Sequence, residues 1–298
     1  MKRKLVRQGQ STLMVSVPQR WCRNFNLYKG SEINLDERRN YLLISPVDKI
    51  ISSAQINITQ NSETAIRIAI LNAYRQGYDS IKMVFKDDAQ YELICRVARD
   101  YVFGLEASRT SKNSCLLESI SEPTAEQFEP MFRKIFLNAL LMIKNTNDRL
   151  SRNTPFFDYE QIMLRIHKLD NYCRRSISKQ RMLTEKAEYF FGFLSHFTHC
   201  LRDLYHLNRF LDKNKINFKQ IQLAEKLISS FSLLEDAYLK KELSKIELIH
   251  ELNKDLFPRL YRLLEKNPKE NAVIFHLSTA LRNLCLASSP LVGIISEK

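Results

Sequence analysis

Two periodicities divide the chain. Up to about residue 121, short strand-like runs alternate with a few helical stretches; beyond it apolar positions recur at helical spacing only, over long stretches. Residues 12–17 alternate cleanly. Leu13, Val15 and Val17 fall on one side and Thr12, Met14 and Ser16 on the other, the period of a half-buried strand. Residues 2–8 read as a preceding strand with Leu5 its clearest apolar position, and Gly9-Gln10-Ser11 as the turn between them. Pro18 stands where the first turn of a helix accepts a residue without an N–H. A short helix over 18–26 places Trp21 and Phe25 on one face, and Gly30 ends the segment. Residues 32–35 and 41–45 form a hairpin around the charged turn 36–40.

The next stretch, 48–121, reads strand, helix, strand, helix, strand, strand. Strands are expected over 51–58, 80–85, 104–108 and 114–120. Helices are expected over 62–76, capped by Gly77, and over 88–101 with Leu93, Ile94, Val97 and Tyr101 inward. The expected unit is a small α+β domain, ferredoxin-like or a variant of it. It carries no phosphate-cradling glycine loop and no nucleophile motif, so it is expected to connect and dimerise rather than catalyse.

Residues 122–298 contain two glycines, Gly192 and Gly293, and no strand alternation. Six helices are expected, over 126–150, 157–180, 184–213, 218–241, 243–265 and 271–287. Their apolar stripes and polar backs read as two linked three-helix bundles.

Charge changes the picture at the N-terminus. Seven basic residues (Lys2, Arg3, Lys4, Arg7, Arg20, Arg23, Lys29) precede the first acid, Glu32. Residues 1–47 hold nine Lys and Arg against three acids, nearly half of the chain's formal +13 in a sixth of its length. A basic β module of about 45 residues is too small to close its own core, so it points to an obligate dimer that holds a polyanion, most simply DNA. Six scattered cysteines without a Cys-x-x-Cys pair give neither a disulfide framework nor a zinc knuckle. No stretch reads as a signal peptide or as a membrane span, and 283–296 is too short and polar to be one. The reading is an intracellular, cytoplasmic protein.

The run from Arg3 to Trp21, Arg-Lys-Leu-Val-Arg-Gln-Gly-Gln-Ser-Thr-Leu-Met-Val-Ser-Val-Pro-Gln-Arg-Trp, resembles the AbrB/MazE family of swapped-hairpin DNA-binding domains. The resemblance covers nearly all of residues 2–45 and departs in the short loop. It implies that two chains interleave into one β-barrel, giving domain boundaries of 1–46, 48–121 and 122–298. By position it places Arg3, Lys4, Arg7, Gln8, Gln10 and Ser11 on the DNA-facing strand and loop, with Arg20 and Arg23 adding phosphate contacts from the short helix. Lys and Arg neutralise phosphates, and Arg and Gln also read base edges; the alternative is that several are solvated surface charges. Arg38 and Arg39, beside Asp36 and Glu37 in the far turn, are weaker candidates.

The helical region resembles the PhoU family of phosphate-uptake regulators. The fragment Ile166-His-Lys-Leu-Asp-Asn-Tyr-Cys-Arg-Arg-Ser-Ile is similar to its second helix, and Leu201-Arg-Asp-Leu-Tyr-His206 and Leu281-Arg-Asn-Leu to its third helices. The order of parts is similar to that of archaeal phosphate-uptake regulators over nearly the full chain. PhoU bundles present paired carboxylates one turn apart that hold metal ions. Here Asp170 is present, but Ile166 stands one turn earlier, and Leu201 and Tyr205 stand near the other acid positions. A different stripe, His196, His199, Asp203 and His206 at spacings of 3, 4 and 3, is a candidate site for a divalent metal. Its alternative is a polar seam of histidines without metal.

These readings converge on a non-enzymatic, dimeric, DNA-binding transcription regulator linked to phosphate uptake. Its helical region senses or relays a signal to the DNA-binding head. The alternatives are a protein-interaction regulator of a phosphate transporter or signalling kinase without direct DNA binding, and an antitoxin-like repressor.

Overall fold

A computed structural model describes residues 1–38, 41–47, 51–59, 62–121, 124–152, 157–179 and 186–296, without the side chains of 38, 125, 152 and 257. The chain forms two compact units, Met1–Ser52 and Ser53–Lys298.

The first unit holds β1 (Val6–Gln8), β2 (Thr12–Met14), α1 (Gln19–Asn24), β3 (Ile33–Arg38) and β4 (Tyr41–Pro46). β1 pairs antiparallel with β2, and β3 with β4, as two separate two-stranded ribbons. The expected barrel is therefore not closed by this one chain. Arg39 and Asn40, of the charged turn expected over 36–40, lie outside the described residues.

The second unit begins with a mixed sheet of β5 (Ser53–Asn57), β6 (Ser80–Val84), β7 (Leu105–Ser111) and β8 (Ser114–Ser119), in the order β5-β6-β8-β7. Helices α2 (Glu63–Arg75) and α3 (Asp88–Tyr101) complete it. β5 and β6 are parallel, joined through α2; β8 is antiparallel to both β6 and β7. The connectivity is βαβαββ, with both helices before the final hairpin. A ferredoxin-like domain runs βαββαβ, so the expected ferredoxin-like topology is not the observed one. The element order is the one the periodicity reads, and that order by itself already departs from βαββαβ; the strand order β5-β6-β8-β7 is what the pairing adds. Ile66 and Ile70 of α2 and Ile94 and Val97 of α3 bury against Ile81, Met83, Cys115 and Leu117 of the sheet.

Helices α4 (Ala125–Arg152), α5 (Tyr159–Lys179), α6 (Ala187–Lys213), α7 (Ile221–Lys240), α8 (Ser244–Asn253), α9 (Leu256–Lys266) and α10 (Asn271–Ile295) follow. They share one continuous core, from Phe128 on α4 to Ile295 on α10, rather than two three-helix units. Two packings cause this. α10 returns along α6, so close that a Cβ on Gly293 would sit 2.5 Å from the Tyr189 ring. α7 packs on α10 and α4, and its Phe231 meets Phe136 of α4 and Phe197 of α6. The helix expected over 243–265 breaks at Lys254 and Asp255, and α10 continues past its expected end at 287, through Pro290. The start expected at 184 lies outside the described residues.

Residues 53–298, divided by the sequence reading at 121 and 122, are one unit because α5 packs on α2 and α3 on one side and on α4 and α6 on the other. Every residue from Leu169 to Ile177 is buried, the polar ones included. Arg175 is fully buried. It donates through Nη1 to the carbonyl oxygens of Tyr74 (3.1 Å) and Tyr78 (2.8 Å), and through Nη2 to Asp79 Oδ1 (3.1 Å). Gly77, at φ +91°, makes the turn that presents those carbonyls. Gly77 N–H bonds to Tyr74 O and Tyr78 N–H to Ala73 O, the paired closing bonds of a Schellman cap.

Candidate functional sites

In the first unit no apolar side chain among the described residues is buried. Leu5 (65 %), Leu13 (61 %), Leu35 (58 %) and Leu42 (57 %) stand in solvent. Two-stranded ribbons with bare apolar faces are not independently stable in water. Arg3, Lys4, Arg7, Gln8, Gln10, Ser11, Arg20 and Arg23 are all exposed. The first six lie along the β1–β2 ribbon and the segment leading into it, where Arg7 Nη2 donates to Gln10 O at 2.6 Å across the turn at Gly9. Arg20 and Arg23 lie on α1 one turn apart. Arg3 borders a groove of about 310 Å³ lined also by Val17, Pro18, Trp21 and Ile44. That groove brings the lead-in to the first strand beside the helix that carries Arg20 and Arg23.

In the second unit the stripe His196, His199, Asp203 and His206 does not assemble a metal centre. Among the described residues no group of three or more His, Cys, Asp or Glu side chains is placed to hold an ion. The physical reason is length. Ten residues of helix rise about 15 Å, so such a stripe can present only adjacent members to one ion, and the rest must come from a neighbouring helix. What α10 brings there is Asn283, whose Nδ2 donates to Asp203 Oδ2 at 2.9 Å, and His276, whose ring stacks on His206. Asp170, the one acid matching the paired-carboxylate pattern, is committed to arginines. It accepts from Arg174 Nε at 2.9 and 3.0 Å and from Arg75 Nη2 at 3.2 Å.

His199 and His206 face a larger feature, a cleft of about 860 Å³ between α2, α5 and α6. Four arginines line it: Arg67 and Arg75 from α2, Arg174 from α5 and Arg202 from α6. Arg67 donates to the Tyr101 hydroxyl at 3.1 Å and lies over that ring. Arg75 is further fixed by its Nε donating to Asn171 Oδ1 at 2.7 Å, and Asn171 in turn donates to Tyr101 O. Burial lowers the Arg75 pKa, with Asp170 opposing and Arg174 and Arg202 reinforcing. His167 is pushed down to about 4, first by burial, with Asp170 opposing and Arg202, Arg67 and Arg75 adding to the drop. His199 is lowered too, by burial and then by Arg202.

The sequence reading missed this cleft. Arg67 and Arg75 fell on the polar back of α2, and Arg174 and Arg202 within fragments valued for their likeness to PhoU. No local signal marked the cleft: α5 is a polar helix by sequence, and the burial of Leu169 to Ile177 comes from the elements packed around it. The chain matches no family model, no characterised protein and no solved structure.

Proposed function

We propose that this protein is a dimeric DNA-binding transcription regulator of phosphate uptake, similar in plan to archaeal regulators that join an AbrB/MazE-type head to a PhoU-like helical body. The observation that carries the reading is the first unit: strongly basic, built of two short ribbons, and without a buried apolar side chain among its described residues. A second copy interleaving its ribbons covers Leu13, Leu35 and Leu42 and closes the swapped-hairpin barrel that one chain leaves open. The same assembly doubles the basic surface along a two-fold axis, suited to a palindromic site. Arg3, Lys4, Arg7, Arg20 and Arg23 neutralise phosphates, while Gln8, Gln10 and Ser11 offer hydrogen bonds to DNA. A signal received by the helical body shifts the population of head arrangements that fit the operator. The compartment is the cytoplasm, consistent with six free cysteines and with no helix among the described residues long and apolar enough to cross a membrane.

Alanine at Arg3, Lys4 and Arg7 together tests the reading. In a dimer this removes six cations, so the slope of log affinity for duplex DNA against log salt should flatten by up to about 5. Fluorescence anisotropy with DNA from the region upstream of the protein's own gene measures it. An unchanged slope sinks the DNA-binding role.

A second reading, a regulator that docks on a phosphate transporter or a signalling kinase, is favoured by Leu243, Tyr261 and Phe275, each more than half or about half exposed on the helical body. Co-purification of such a partner, with no retention of the upstream DNA, would select it.

A further inference from the structure

The cleft between α2, α5 and α6 has more positive charge than its own carboxylates offset. Arg75 and Arg174 share Asp170. Arg67 bonds to no carboxylate, only to the hydroxyl and face of Tyr101. Arg202 makes no hydrogen bond or ion pair to any described residue. The other acid of the cleft, Glu160, lies seven residues before His167 on α5, about 10 Å along the helix. Two guanidinium groups from two different helices therefore converge on His167 without a counter-ion. Arginine matches phosphate oxygens in pairs, and a cleft with two unmatched guanidiniums calls for at least a dianion.

The cleft is also too large for a bare oxyanion, and it lies within the usual range of sites for organic ligands. Part of its wall is apolar and aromatic, with Ile68 and Leu71 from α2, Met163 and Leu164 from α5 and Tyr205 from α6; His167, His199 and His206 stand on the polar remainder. Thr64 and Asn72 add side chains able to hydrogen-bond sugar-like hydroxyls.

We propose that this cleft binds a phosphorylated organic anion of the nucleotide class, with Arg67 and Arg202 on its phosphates, Arg75 and Arg174 completing the positive wall, and the Met163–Leu164–Tyr205 side receiving the flat, uncharged part. The groups facing His167 are Asp170 on its own helix, Arg67 and Arg75 on α2, Arg202 on α6 and the Tyr101 ring on α3. Two phosphate charges among them reverse the field at the imidazole, so binding draws the His167 pKa upward. The assignment stands on the second unit alone and does not depend on DNA binding by the first.

Isothermal titration calorimetry on the full chain in low-salt buffer tests it, with ADP, AMP, pyrophosphate and inorganic phosphate as probes. ADP is expected to bind saturably and more tightly than AMP or phosphate. Arg202→Ala is expected to weaken ADP at least 10-fold without moving the melting temperature, since Arg202 supports no described bond; Arg67→Ala is the second variant. NMR of the His167 ring should show its titration rising with ADP. No binding by any probe below millimolar concentration overturns the site, as does ADP affinity unchanged in both variants. Pyrophosphate binding as tightly as ADP overturns the nucleotide assignment. Loss of DNA binding in the Arg3/Lys4/Arg7 variant with ADP binding intact, or the reverse, separates the two proposals.

Discussion

Arg175 Nη2 and Asp79 Oδ1 meet at 3.1 Å across 96 residues of sequence, the guanidinium fully buried and its ring partner Tyr74 under it at 4.9 Å. Lys179, one turn further along α5, also holds Asp79. This pair locks the sheet-bearing half of the second unit to its helices.

Removing Arg175 leaves Asp79 to Lys179 alone and takes the buried donor from two carbonyls. Arg175→Met should lower the unfolding free energy by about 3–5 kcal/mol, because Asp79 loses a partner and the carbonyls of Tyr74 and Tyr78 lose their donor. The double variant Arg175→Met with Asp79→Leu should recover part of that loss. Urea denaturation of the four proteins closes the cycle; additive losses would show that the two side chains act independently.

His167 makes stability depend on pH. Its folded pKa, down to about 4, lies below the unfolded value near 6.5. Between those values the unfolded chain takes up a proton that the folded chain refuses, so stability falls as the pH drops through that window and is intact above it. The full effect is on the order of 3 kcal/mol. His199 and His276 are lowered as well and act in the same direction. His167→Gln should therefore lose less stability than the parent between pH 7.5 and 5, read as the shift in urea midpoint. Equal shifts in both proteins would refute this origin.

The exposed leucines of the first unit define an association test. Leu13→Asp with Leu35→Asp places charges on the faces a second copy must cover. Sedimentation velocity should show the parent as a dimer and the variant as a monomer, with the far-ultraviolet signal of the helical unit retained. A parent that sediments as a monomer at tens of micromolar would remove the basis for the shared barrel.

The chain's local order was legible because the two periods differ so plainly. The α3 helix begins and ends where its pattern says, since Asp87 caps it, its Oδ1 accepting from Gln90 N–H at 2.9 Å. The βα alternation and the strand pair after it were equally readable. Breaks that leave apolar spacing undisturbed were not: the α8–α9 junction at Lys254 and Asp255 and the run of α10 through Pro290 carry no periodic signature.

The sequence by itself determined the order of strands and helices as far as α7, where positive charge gathers, and that the first 47 residues are too few to make a core. Only the tertiary structure decided that the sheet closes as β5-β6-β8-β7, that the helices share one core, and that Arg67, Arg75, Arg174 and Arg202 border one cleft. The division has a physical cause. Periodicity records which face of a segment is buried, not what covers it. An arginine that lines a cleft and one that faces bulk water sit on the same polar side of their helix until a second and a third helix are brought against it.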